Sequence, residues 1–231
     1  MTTRLHEKQR AKWSRYGFQN LLAWLFLFLM VRPFLAKAGY ADVVFSGFLS
    51  LVLLSAAYAV NSKSRLFAPA LFLVTLSLAL LWLSALNVLH WPAALTSGLL
   101  VLYLGMLVYS FGRQLFAVRR VDANVICAAL CLYLIIGILW GAIFGVLESL
   151  APGSFAGKLL SDAGSAQEVN QHLYYFSFVT LSTLGYGDIT PQTEGAAALC
   201  QTEAILGQFF ALVLVARLVG IQIAQEGNRE S

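Results

Sequence analysis

The amino-acid sequence predicts an all-α membrane protein of six transmembrane helices, with a short re-entrant stretch between the fifth and the sixth. Three observations carry that reading. Hydrophobic residues make up 59% of the chain and charged residues only 11%, less than half of the roughly 25% that a soluble domain carries. Apolar runs of about 20 residues, the length that crosses a hydrocarbon core as a helix, recur at 17–36, 43–60, 66–89, 93–112, 123–149 and 195–222. The basic residues gather in alternate connections between those runs, which is the bias of cytoplasmic loops.

Taken in order, residues 1–16 hold Arg4, Lys8, Arg10, Lys12 and Arg15 against Glu7, with Trp13 and Tyr16 as interfacial anchors. A basic segment that abuts a span is retained in the cytoplasm, so the net charge of +4 serves topology and no nucleic-acid partner is expected. Arg32 and Pro33 lie near the outer end of the first run, where proline breaks the helical pattern and arginine reaches the interface. Lys63 and Arg65, then Arg113, Arg119 and Arg120, then Arg217 and Arg229 mark the inner side. The outer connections hold Arg32, Lys37 and Lys158 among Glu148, Asp162, Glu168, Asp188 and Glu194. Both termini are therefore expected in the cytoplasm.

The third and fourth runs are joined at His90-Trp91-Pro92, an outer turn whose histidine is expected to be solvated. The fourth run has no charge between Thr96 and Ser110. Asp122 is placed to cap the fifth helix. Ala151-Pro152-Gly153-Ser154 ends it, and a polar loop follows to Val169, whose acids either attract cations or are simply solvated. Cys127, Cys131 and Cys200 fall in apolar runs with no Cys-x-x-C or Cys/His pairing, which argues for small buried residues rather than a disulfide framework or metal site. A membrane enzyme needs clustered ionisable groups at depth, and Glu203 is the lone interior acid, so no enzymatic activity and no cofactor are expected.

Residues 170–179 are too short to span and too apolar for an exposed loop, so they are expected to insert part-way against other helices. They lead into Thr180-Leu181-Ser182-Thr183-Leu184-Gly185-Tyr186-Gly187-Asp188. Successive carbonyls of a strand point in opposite directions. A row of carbonyls aimed at one axis therefore needs left-handed dihedrals at alternate residues, where glycine carries no steric cost. Gly185 and Gly187 stand at alternate positions. Rings of such carbonyls replace the hydration shell of a cation.

The run resembles the Thr-Val-Gly-Tyr-Gly signature of potassium channels. By resemblance the chain is a six-transmembrane, one-pore-loop potassium channel of the tetrameric cation channel superfamily, of prokaryotic type with a degenerate voltage-sensor-like domain. The resemblance implies K+ coordination by the carbonyls of Thr183, Leu184, Gly185 and Tyr186 and by the Thr183 hydroxyl, with Gly187 completing the filter. Leu184 and Tyr186 would then point backwards and hold the loop from behind. Tyr175 and Phe176 match the aromatic pair that braces the filter, Thr180 precedes it, and Asp188 follows it. Val179 stands where several relatives have a glutamate that binds this aspartate, so Asp188 is expected to use the Tyr175 hydroxyl instead. Glu203 either braces the filter from behind or makes a passive interhelical hydrogen bond. Gly207 holds the motif position of a gating hinge, with close packing as the alternative. Gln208, Ala211, Leu212 and Val215 would face the cavity, with Gly220 and Ile223 near the inner gate.

Four loops surround one pore and one chain supplies one loop, so a homotetramer in the lipid bilayer is implied. Its parts are a cytoplasmic N-terminus (1–16), a four-helix sensor-like domain (17–112), a linker (113–122), a pore domain (123–223) and a short cytoplasmic tail (224–231). Relatives that sense voltage carry several charges on the fourth helix, each worth about 2.3 kcal/mol per 100 mV; the uncharged run here implies weak voltage gating or none. Leu184 replaces the usual valine and loses its β-branch. A potassium-selective channel in the cell membrane is the expectation, with a less selective cation channel or a silent, regulatory subunit as alternatives.

Overall fold

Long uninterrupted apolar runs satisfy their backbone in a membrane only as internally hydrogen-bonded helices, and helices dominate the computed structural model, which describes residues 18–30, 47, 49–56, 67–85, 93–117 and 122–230. In chain order these are α1 (Phe18–Met30), α2 (49–56), α3 (Phe67–Ala85), α4 (Ala93–Phe116), α5 (Ala123–Leu150), β1 (Phe155–Ala156), α6 (Lys158–Ser161), α7 (Ala166–Leu181), β2 (Thr190–Pro191) and α8 (Glu194–Glu230). Among the described residues three helices are long and apolar enough to cross a membrane: Ser97–Phe116, Ala123–Leu150 and Glu194–Ile221. The N-terminal basic segment, Arg32-Pro33, Lys63, Arg65, His90-Trp91-Pro92 and Arg119-Arg120 lie outside the described residues.

Several boundaries differ from the sequence expectation. Helix α4 runs on to Phe116, so its last turn takes up the start of the expected linker; Gly112 is carried inside the helix, where a lone glycine costs only about 1 kcal/mol. Helix α5 starts where expected, because the Asp122 carboxylate accepts the Val125 N–H at 2.9 Å. The expected outer loop contains structure of its own. Glu148 accepts the backbone N–H groups of Gly153 and Phe155, which folds the chain back after α5. Antiparallel pairing of β1 with β2 then sets Phe155 opposite Pro191 and Ala156 opposite Thr190. Helix α8 continues beyond the expected Ile223.

Two apolar clusters organise the packing. The larger joins Leu21 and Leu25 of α1, Leu49 and Leu53 of α2, Val74 of α3, Tyr103, Leu104 and Leu107 of α4 and Ile135 and Ile138 of α5. Polar ties cross it: the Tyr103 hydroxyl donates to Leu53 O at 2.7 Å, and Trp82 Nε1 donates to Ser50 Oγ at 3.1 Å. The smaller cluster gathers Phe144, Phe155, Leu173, Phe176, Ile189 and Ala196. Phe144, Phe155 and Phe176 form an aromatic triangle with centroids 5.1 to 5.6 Å apart, which fixes α7 against α5 and β1.

At 16 residues, α7 is about 24 Å long and too short to span. It lies along a stripe of small residues on α5, Gly137, Gly141 and Gly145, which face Phe178, Tyr174 and Asn170. A four-residue spacing on both helices brings the two ridges together, and small residues let the backbones approach. A Cβ on Gly141 would stand 2.8 Å from the Tyr174 Cα, a backbone atom that cannot swing aside. Gly141→Ala should therefore lower stability by about 1–3 kcal/mol, read as a reduced thermal midpoint of the purified protein in detergent; an unchanged midpoint would contradict this packing.

Candidate functional site

The site begins at the end of α7. Its N-terminus is set by Ser165, whose hydroxyl accepts the Glu168 N–H, while the Glu168 carboxylate accepts the Gly164 N–H. This reciprocal cap starts the helix at Ala166, four residues before the expected start. At the other end the Thr183 N–H donates to Thr180 O and the Leu184 N–H to Val179 O, both at 2.9 Å. These bonds turn the chain sharply out of the helix.

Beyond the turn the backbone takes positive φ at every second residue: 57° at Thr183, 61° at Gly185 and 75° at Gly187. Left-handed dihedrals at alternate positions bring successive carbonyls toward one side of the loop. The glycines make two of these positions legible in the sequence. Thr183 is the third and carries a β-branched side chain in a region such residues avoid, at a cost of about 1–3 kcal/mol. The two turn hydrogen bonds hold it there, and Gln208 Nε2 of α8 lies 3.4 Å from its hydroxyl.

The far end of the loop is anchored separately. The Tyr175 hydroxyl donates to Asp188 Oδ2 at 2.8 Å. Burial first, then the Asp188 hydrogen bond and charge and the neighbouring Tyr186, push this hydroxyl up to about 12, so it remains a donor at neutral pH. Ile189 is buried in the aromatic cluster. The stretch between α5 and α7 closes against this end so tightly that Gly157 has no room for a side chain beside Asp188 O.

Behind the loop, α8 meets α7 at two points. Gly207 faces the Leu181 carbonyl with no space for a Cβ, and α8 is helical through this position; close approach accounts for the glycine. Four residues earlier, the fully buried Glu203 contacts the fully buried Ser177, whose hydroxyl also lies 2.7 Å from Gly137 O on α5.

The expected inward-facing set is distributed unevenly. Phe176 is buried, and Thr180 supplies the carbonyl that accepts from Thr183. Leu184 and Tyr186, expected to point backwards and hold the loop from behind, are 55% and 65% exposed in the single chain. Gln208, Ala211, Leu212 and Val215 of α8 are likewise exposed. Ser177, Gly157 and the glycine stripe of α5 escaped the sequence reading. The stripe and the Ser165-x-x-Glu168 cap are visible as spacings, whereas Ser177 and Gly157 carry no local signal. Among the described residues no three His, Cys, Asp or Glu side chains converge as a metal site would require.

Tyr175→Phe removes a hydrogen bond to a charged acceptor, a contact worth about 1.5–3 kcal/mol when shielded and less when wet. The variant should lose thermal stability without loss of helix content, as followed by circular dichroism; a midpoint equal to the parent's would dismiss the anchor.

Residues 128–222, which include most of α5, all of α7, the loop and α8 through Gln222, match a family model described as an ion channel. Searches of curated proteins and of solved structures find no match. The family match, together with the apolar helices, supports a multi-pass membrane protein of the ion-channel kind and indicates a channel rather than an enzyme.

Proposed function

We propose that this chain forms a potassium-selective channel, a homotetramer in which the loops of four subunits surround one passive pore. The observation that carries the reading is the alternation of positive φ at Thr183, Gly185 and Gly187, directly after a short helix seated between α5 and α8. In the assembled pore the carbonyls of Thr183, Leu184, Gly185 and Tyr186 and the Thr183 hydroxyl replace the water around K+. Ions in adjacent sites repel one another and move in single file. The C-terminal end of α7, negative by its backbone dipole, favours a cation below the filter.

Fourfold assembly is supported by what the chain leaves uncovered. Leu184 and Tyr186 lack a wall behind them, and α8 exposes Phe209, Leu212 and Val215. Neighbouring subunits cover the first pair and bury or line the pore with the second set. Gln208, Ala211, Leu212 and Val215 are assigned to the cavity, and Gly207 to the point where α8 rests on the filter turn. The chain crosses the cell membrane six times with both termini in the cytoplasm. Because α4 carries no charge before Arg113, conductance varies little with voltage.

Gly185 has φ near +61°, a conformation that L side chains rarely adopt. Gly185→Ala places that penalty, about 1–2 kcal/mol, in each of four subunits. Potassium efflux from reconstituted vesicles should therefore be abolished while crosslinking still traps four chains. Undiminished efflux would reject the filter assignment, and a crosslinking ladder ending at two would reject the assembly.

A further inference from the structure

Ser177 sits where α5, α7 and α8 meet. Its hydroxyl is 2.7 Å from Gly137 O and also hydrogen-bonds Glu203 Oε1. A serine hydroxyl has one proton, and a backbone carbonyl can only accept. If Ser177 gives that proton to a carboxylate, two oxygens are left 2.7 Å apart at Gly137 with no proton between them. If the glutamic acid supplies a proton of its own, both contacts become hydrogen bonds: Glu203 donates to Ser177, and Ser177 donates to Gly137.

The surroundings argue the same way. Glu203 is 0% exposed, and among the described residues its Oε2 has no hydrogen-bond partner. An ionised carboxylate would leave that oxygen charged and buried without a partner from these helices. No counter-charge stands on the helices packed around it, since α5 and α7 contain no Lys or Arg and α8 has none before Arg217. Among the described residues, Tyr133 on α5 and Cys200 on α8 itself lie in electrostatic reach, and both are neutral when protonated. The ionisable groups of α7 are engaged or placed elsewhere: Glu168 at the helix start, Tyr174 against Gly141, Tyr175 on Asp188, and His172 about 140° around the helix from Ser177.

We propose that Glu203 works as a neutral carboxylic acid, a positioning residue whose proton ties α8 through Ser177 to α7 and α5 and so holds the conducting loop in register. The inference deepens the filter reading and rests on it. Removing the proton, by alkaline pH or by mutation, leaves Ser177 unable to satisfy both neighbours, and the seat of α7 loosens.

Infrared spectroscopy of the full chain in lipid vesicles tests the protonation directly, whether or not the protein conducts. At neutral pH the carbonyl stretch of a protonated carboxyl should be present and should disappear in Glu203→Gln; identical spectra would overturn the proposal. Potassium efflux tests the positioning. Glu203→Gln keeps a donor for Ser177 and should conduct at neutral pH like the parent, without the parent's decline at alkaline pH. Glu203→Ala removes about one hydrogen bond from each of four subunits and should lower efflux by well over tenfold. A glutamine variant as poor as alanine, or one that keeps the parent's alkaline decline, would overturn it. If the parent itself does not conduct, the channel reading fails while the infrared result still decides the protonation.

Discussion

An irregular backbone can be held at membrane depth only where protein covers it or where it lines a cavity, and the seat of the short helix α7 is what the rest of this structure supplies. Each side of α7 is held by a different kind of contact. On α5 the glycines at 137, 141 and 145 remove side chains so that the helices touch along their backbones. The aromatic triangle of Phe144, Phe155 and Phe176 joins α7 to α5 and β1. On α8, Gly207 and Glu203 meet the turn and the middle of the helix. With the helix fixed, the two hydrogen bonds at its end leave the chain little choice but the left-handed step at Thr183.

The remaining helices serve this seat from a distance. The cluster linking α1, α2 and α4 to α5 packs the N-terminal part of the chain onto the α5 helix that also carries the glycine stripe. A second tie runs at the end of α4, where Arg217 of α8 donates to Phe116 O at 2.6 Å and stacks over the Phe116 ring. The end of α4 is thereby tied to α8. That connection uses a single arginine, and nothing in α4 itself resembles a charged array.

Much of this was legible in the amino-acid order, and the reasons differ by element. The starts of α5 and α8 follow from long apolar runs and, for α5, from Asp122. Gly185 and Gly187 announce their own dihedrals, because no other residue adopts them without strain. Thr183 does not, since residue type argues against its conformation and only the surrounding hydrogen bonds impose it. The β1–β2 pair is two residues long and has no periodicity to detect. The surroundings of Leu184 and Tyr186 are not legible either, since both are exposed in the single chain and a sequence speaks for one chain at a time.

The central claim is that this loop is a filter for potassium. Its most direct test is the reversal potential of the purified protein in a planar bilayer with potassium on one side and sodium on the other. The account predicts a value close to the potassium equilibrium potential. Currents that reverse near zero would contradict it and show that the loop, with Leu184 in place of a β-branched residue, passes cations without choosing among them.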